Sequence, residues 1–569
     1  MNGQPWLEKI KNWRWLDALL VVALILFDVA VHPLGIGPDR LIHDPAVYRL
    51  ANSHYLPGDW YTAMAVKSGI YTFYAHLVNF HSFLHLSEEL WRQILYLGGL
   101  AILYYALIRI ARLFTKNILV VPVLVVLHYL LVTGINQPLW LYGPFIQIDG
   151  GLAPRTIGIA LSFLALFFLL NESLNWMAIL LGVATLVHVS NSFIIFSLFL
   201  AAWLIRDWLG HLSFKGWWQR TGRKTAIAVG LYLLFGGWFA LWVAHLGSGG
   251  ATIETQKFIW GWIYVRAPYM ALPLAGRYWW VRLWAHALAI VVGWLLVRWK
   301  LDDRARKALD TVALIGLGSV GYFYLFDYFA FIKPWLPGFQ FYSIRVIYLC
   351  YFTAYLFIGL SIAVYLDIVL KFIRQRLNPQ AYLAFLALLI VATTGLIISS
   401  PANQTFQLTA STNVQASRYW LLQSAGAQAK DIPRKYQVGP PTTALFKYLQ
   451  SHGQPVLTPP TWNTGAYYIS RVVSFKSFGY TPQGMADWLE RLNAVTAGVF
   501  DQAYAKQKAA GRFEPTNPEW HQLYASLTPE QVLALGQKYQ FKLFLSYQDS
   551  NYPFPFIVGD GDFKLYQLP

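Results

Sequence analysis

Val187-His188-Val189-Ser190-Asn191-Ser192 lies between two apolar runs, 177–188 and 190–206. Its reading decides how often the chain crosses a membrane. The two runs are either short helices that meet at the outer face or one long bent helix. The basic residues discriminate between them. Clusters follow alternate apolar runs: Arg109, Arg112 and Lys116; Arg206, Lys215, Arg220, Arg223 and Lys224; Arg298, Lys300, Arg304, Arg306 and Lys307; Lys371, Arg374 and Arg376. Lys and Arg collect in cytoplasmic loops. All four clusters share a side with Lys9, Lys11 and Arg14 only if 177–206 goes out and back.

Working outward from that break, the other candidate spans are 15–31, 94–113, 118–134, 157–171, 226–246, 281–299, 311–332, 347–370 and 383–399. A span takes about 20 apolar residues, fewer where helices are broken. The count predicts about eleven crossings, with the N-terminus cytoplasmic and the C-terminus outside. Composition agrees. The 569 residues are 56% hydrophobic and 12% charged, against about 25% charged in soluble proteins. Mean hydropathy is +0.41. Aromatics make up 17%, and such rings suit the two membrane interfaces. The net charge of +17 does not imply nucleic acid, because the basic residues sit mostly between spans. Phe27-Asp28-Val29-Ala30-Val31-His32 offers no convincing small-residue cleavage site, so 15–31 reads as an uncleaved first span. The one cysteine, Cys350, excludes an intrachain disulfide.

Residues 1–400 therefore read as a transmembrane domain, and 401–569, which are polar, as an extracytoplasmic α/β domain. Helices are expected at Thr442–Ser451, Pro482–Ala497 after Thr481, and Pro529–Tyr539 capped by Thr528. Strands are expected at Pro455–Leu457, Arg471–Phe475, Lys542–Ser546 and Phe563–Gln567, the last after the turn Gly559-Asp560-Gly561-Asp562. Asp501–Gln522 reads as loop.

Chemistry concentrates in the first outer loop, 32–93. Its densest part runs Asp39-Arg40-Leu41-Ile42-His43-Asp44-Pro45-Ala46-Val47-Tyr48-Arg49, then Asp59-Trp60-Tyr61. Asp44 before Pro45 suits a helix N-cap, or alternatively a general base or a metal ligand. Asp59, in Pro57-Gly58-Asp59, is either turn chemistry or a second carboxylate. Asp149 and Glu254 are further outer acids. Basic residues also stand on the side that short loops usually keep free of them: Arg40, Arg49, Lys67, Arg155, Lys257, Arg266, Arg277 and Arg345. Arg155 and Arg345 head spans. There the helix dipole and a guanidinium fork would both favour phosphate, although snorkelling to headgroups or pairing with Asp149 and Glu254 would also account for them. Lys257 and His43 complete the anion-binding candidates. The histidines lack zinc spacing, and His-Glu-x-x-His does not occur. Asp327 and Lys333 form a candidate internal pair. P-loop, Rossmann, Gly-x-Ser-x-Gly and Cys-x-x-Cys signatures do not occur, so an activated donor would come from the membrane.

The arrangement resembles the GT-C superfamily of integral-membrane glycosyltransferases. The residues that carry the likeness are His43-Asp44-Pro45-Ala46-Val47-Tyr48 through Asp59-Trp60-Tyr61, and the break Leu186-Val187-His188-Val189-Ser190. The chain is more narrowly similar to a bacterial family of GT-C-like membrane proteins. That rests on Arg266-Ala267-Pro268-Tyr269, Pro459-Pro460, Ile469-Ser470-Arg471, Ser474-Phe475-Lys476 and Asp487-Trp488-Leu489-Glu490-Arg491. It departs where His-His is expected after the Arg-x-Pro motif, at Tyr269 and Met270. The resemblance implies a polyprenyl-phosphate sugar as donor and a glycan, lipid or protein acceptor at the outer face. Asp44 would be the base or metal-binding acid, with Asp59 in reserve. Arg155, Arg266 and Arg345 would hold the donor phosphate. A divalent ion, Mg or Mn, is compatible with it. Two other classes stay open. A carrier for an anionic lipid-linked substrate would want deep charges and related halves. A non-catalytic scaffold or sensor would pair its first-loop charges internally.

Overall fold

The computed structural model describes residues 14–31, 40–56, 58–67, 69–115, 119–127, 152–209, 214–242, 257, 260–261, 277–327, 347–377, 380–381, 415, 418–419, 443–459, 482–510 and 520–569. The chain is mainly helical, with a small C-terminal sheet. Among the described residues of the first four hundred, the α-helices are α1 (Arg14–Val31), α2 (Arg40–Ala51), α3 (Trp60–Lys67), α4 (Thr72–Asn79), α5 (Glu88–Phe114), α6 (Val120–Leu127), α7 (Pro154–Leu170), α8 (Leu174–Val187), α9 (Val189–Leu209), α10 (Phe214–Tyr232, followed by a π-helical stretch Leu233–Gly237), α11 (Arg277–Arg298), α12 (Asp303–Asp327) and α13 (Ile347–Arg376).

Among the described residues, four helical stretches are long and apolar enough to cross a bilayer: Glu88–Phe114, Ser192–Leu209, Thr221–Trp242 and Tyr348–Ile373. Pro154–Leu170, Leu174–Val187 and Leu283–Arg298 are apolar but shorter. The expected span 383–399 and the strand Arg471–Phe475 lie outside the described residues.

The break at His188 forms. Helix α8 ends there, with His188 at φ −142° and ψ 78°, and α9 starts at Val189. The Tyr232 hydroxyl lies 3.0 Å from Thr185 Oγ1, and its ring stacks on Phe196 at 3.9 Å between centroids. Along one straight helix Thr185 and Phe196 would be about 16 Å apart, too far for one side chain to touch both. The chain therefore folds sharply at His188 around Tyr232. The same crossing brings two backbones together. A Cβ on Gly236 would fall on the Gly182 carbonyl, so only glycine can occupy that contact.

The C-terminal elements are α14 (Ala444–His452), β1 (Val456–Leu457), α15 (Pro482–Val495), α16 (Val499–Ala509), α17 (Trp520–Ala525), α18 (Pro529–Tyr539), β2 (Leu543–Tyr547), β3 (Phe556–Gly559) and β4 (Phe563–Gln567). The sheet order is β1-β2-β4-β3. β1 and β2 are parallel, and β4 is antiparallel to both β2 and β3. Strand alternation sorts the side chains. Leu543, Leu545 and Leu565 pack with Leu445, Phe446 and Leu449 of α14. Phe544 and Tyr566 face the other way, onto Tyr524, Val532 and Leu535. Thr528 forms a capping box with Gln531 at the start of α18, and Thr443 caps α14.

Two expectations need correction. Asp501–Gln522 is not simply loop, because its first part belongs to α16. The stretch reads as polar since only Phe500 and Tyr504, one turn apart, are buried, both against Trp260. Strand β3 was not foreseen. It is a four-residue edge strand with an irregular register between Phe556 and Val558, too short for a period-2 signal. The turn before β4 does form: Asp560 Oδ1 accepts from the Asp562 and Phe563 amides.

Candidate functional site

Asp44 is not a helix cap. Helix α2 begins earlier, at Arg40, so Asp44 falls inside its second turn with Pro45 behind it. Pro45 removes only the donor that would reach Leu41, which explains why a proline is tolerated there. The Asp44 carboxylate has no exposed surface. Oδ1 lies 3.0 Å from Nη1 of Arg92, which is also fully buried. Arg92 Nε donates to Glu88 Oε1 at 2.7 Å, one turn back along α5. The same Nη1 is 3.4 Å from the Tyr74 hydroxyl, and the guanidinium carbon is 6.0 Å from the Tyr48 ring centroid. Two carboxylates thus surround one guanidinium in a setting of low polarity, where such a charge must be matched.

The cluster extends across the end of the bundle. Tyr74 donates to the Leu152 carbonyl at 3.1 Å, which ties α4 to the segment that leads into α7. Pro154 opens that helix, and Arg155 follows it. The next turn, at Gly158, touches His188, so the α8–α9 break lies at this end too. The His43 ring lies tilted against Tyr71 at 4.8 Å and edge-on to Tyr74 at 6.5 Å between centroids. The structure therefore gathers Asp44, His43, the start of α7 that bears Arg155, and the His188 break around Tyr74 and Arg92.

The other candidates fall elsewhere. Asp59 is buried and accepts from the Thr62 amide at 2.8 Å and the Thr62 hydroxyl at 2.6 Å. It is the N-terminal cap of α3, which agrees with the turn reading of Pro57-Gly58-Asp59. Lys257 pairs with Asp501 of α16 at 2.5 Å. Arg266, Arg345, Asp149, Glu254 and Lys333 lie outside the described residues, as does the Asp327 side chain. Among the described residues, no group of three His, Cys, Asp or Glu could hold a metal ion.

The C-terminal elements meet the first loop directly. Arg491 of α15 lies 5.1 Å from the Trp60 ring centroid and 4.3 Å from that of Tyr539. A Cβ on Gly58 would collide with the Pro455 ring. The first loop and the α/β unit are thus packed together rather than linked by a free tether.

Sequence reasoning missed Arg92, Glu88 and Tyr74. Arg92 obeys the rule used for the other basic residues of the first loop, because it stands at the start of the candidate span Glu88–Phe114. Glu88 precedes it at the i,i+4 spacing of a helical ion pair. Tyr74 carried no signal, since its role comes from the packing of α4 on α2. Comparisons with known protein families, with characterised proteins and with solved structures find no match to this chain.

Proposed function

We propose that this is a polytopic membrane glycosyltransferase of GT-C type, which transfers a sugar from a polyprenyl-phosphate donor to an acceptor at the outer face. The observation that carries the reading is the fully buried Asp44–Arg92 pair, held where α7 and the α8–α9 break converge. A carboxylate placed on helices and held by a guanidinium is kept ionised and fixed in position. Nearby Arg155 and His43 would face the donor phosphate, with Arg266 and Arg345 as further candidates. In this reading the chain makes about eleven crossings, with its N-terminus in the cytoplasm. Residues 401–569 form the extracytoplasmic domain. A Mg or Mn ion does not fit the pair as it stands, because Asp44 is fully buried with Oδ1 on Arg92, and no step is assigned to a metal.

One observation favours the scaffold reading instead: Asp44, Asp59 and Lys257 each have an internal partner. The two readings part in one experiment. Lipid-linked glycans are profiled in cells that lack the protein and are complemented with wild type or Asp44→Asn, with membrane abundance measured in parallel. The transferase reading expects a polyprenyl-phosphate sugar to accumulate and only wild type to clear it at equal abundance. Clearance by Asp44→Asn would remove Asp44 from the chemistry. An unchanged lipid profile in the deletion would favour the scaffold.

A further inference from the structure

The turn between α4 and α5 carries a group of apolar side chains that the site does not use. Phe83 is 73% exposed and Phe80 46%, with Leu84 exposed beside them. Phe80 and Phe83 stack at 5.2 Å. An exposed apolar group of this kind marks a contact with something other than bulk water.

Three observations say what that is. First, the group continues the exposed apolar face of a candidate span. In the candidate span α5, Ile94, Ile102 and Tyr105 are exposed, and their spacing puts them on one side of the helix. Trp91 falls on that side too, and the Phe80 ring lies 6.0 Å from the Trp91 ring. Second, the depth is right. Trp91 precedes Ile94 by three residues, about 4.5 Å of helix rise, so the turn lies at the level where Trp and Phe gather between hydrocarbon and water. Third, the turn satisfies its own backbone, as a segment shielded from water must. The Phe83 and Leu84 amides donate to the Phe80 carbonyl, His85 to Ser82, and Leu86 to His81. His81 Nδ1 meets the Leu86 carbonyl at 3.0 Å, and Ser82 donates to the Asn79 carbonyl at 2.8 Å.

We infer that Phe80, Phe83 and Leu84 form an anchor embedded in the outer interface of the membrane that α5 crosses. The partner is the lipid bilayer. Because Trp91 is next to Arg92, the anchor fixes the depth of the Asp44–Arg92 pair relative to the lipid headgroups. The inference needs the chain to sit in a membrane and is independent of the transferase reading.

The sole cysteine, Cys350, is buried, so it can be replaced and a single new one labelled. Phe83→Cys in a Cys350→Ser background is spin-labelled and reconstituted in vesicles of phosphatidylcholine and phosphatidylglycerol. Collision with oxygen is compared with collision with a water-soluble nickel chelate. Ile94→Cys serves as the lipid reference and Gln450→Cys, exposed on α14, as the aqueous one. The anchor expects oxygen to dominate at position 83, with the sign of the depth parameter matching position 94. Leu84→Cys reports the same surface if Phe83→Cys folds poorly. Nickel dominance, as at position 450, overturns the inference, and so does shielding from both reagents, which would mean that protein covers the turn.

Discussion

The two ends of the helical bundle treat charge differently. At one end, Arg92 and Asp44 are both completely buried and tied to Glu88, Tyr74 and Tyr48. At the opposite end, Arg112 pairs with Asp17, Arg206 with Glu172, and Arg298 with Asp310, all with partly solvated side chains. The opposite-end pairs keep at least one partner in reach of water. The Asp44–Arg92 pair has no such substitute. Charge near water sets orientation, whereas charge without water must be matched in place, and its loss is felt by the whole fold.

The largest test of this contrast is Arg92→Leu. It leaves Asp44 buried without its guanidinium and is expected to destabilise the protein by about 3–5 kcal/mol, read as a drop in thermal unfolding temperature in detergent. Pairing it with Asp44→Leu should recover much of that loss, because both charges are then gone. Recovered stability without recovered glycan clearance would separate the chemical role of the pair from its structural one. A double variant no more stable than Arg92→Leu would break the argument. Next comes Tyr74→Phe, which removes the hydroxyl between Arg92 and the Leu152 carbonyl and should cost about 1–2 kcal/mol. At the other end, Arg206→Gln should change stability by less than about 1 kcal/mol, because Glu172 is half exposed. A loss as large as that of Arg92→Leu would remove the distinction between the two ends.

The smallest effect is expected in the α/β unit. Lys538, through its hydrogen bond and charge, holds the Glu490 carboxyl below its ordinary value of 4.5. A depressed folded value means that this contribution is present above the unfolded value and is lost as pH falls through the folded one. Glu490→Gln should therefore be slightly less stable than wild type at neutral pH, with the gap closing below about pH 4.5. Unfolding temperatures of the two proteins across that range would check it.

Long apolar runs were legible because hydrophobic length and helix length are the same signal in a membrane protein. α5, α9, α10 and α13 follow from it. The break at His188 was legible as well, since polar residues interrupt an apolar run. Thr528 and Asp560 were legible because caps and turns are local chemistry. The site was legible only on one side. Asp44 and His43 stood out as unusual residues, but the partner of Asp44 lies forty-eight positions away, and no local pattern links them. Asp44 looked like a cap because the start of α2 was placed too late. Asp59 was the reverse case, a striking acid whose role is local capping. Helix α16 was hidden because two aromatic side chains on one face are enough to hold it when Trp260 supplies the other half of the contact.

The Gly182–Gly236 crossing has a mechanical consequence. At contacts such as Tyr232 on Phe196, side chains separate the helices and can bend or switch rotamer. Here one peptide group rests on another, and nothing between them can yield. Helices α8 and α10 are pinned at that point as two rods are pinned at a rivet. A slide of one past the other would drive the two backbones together.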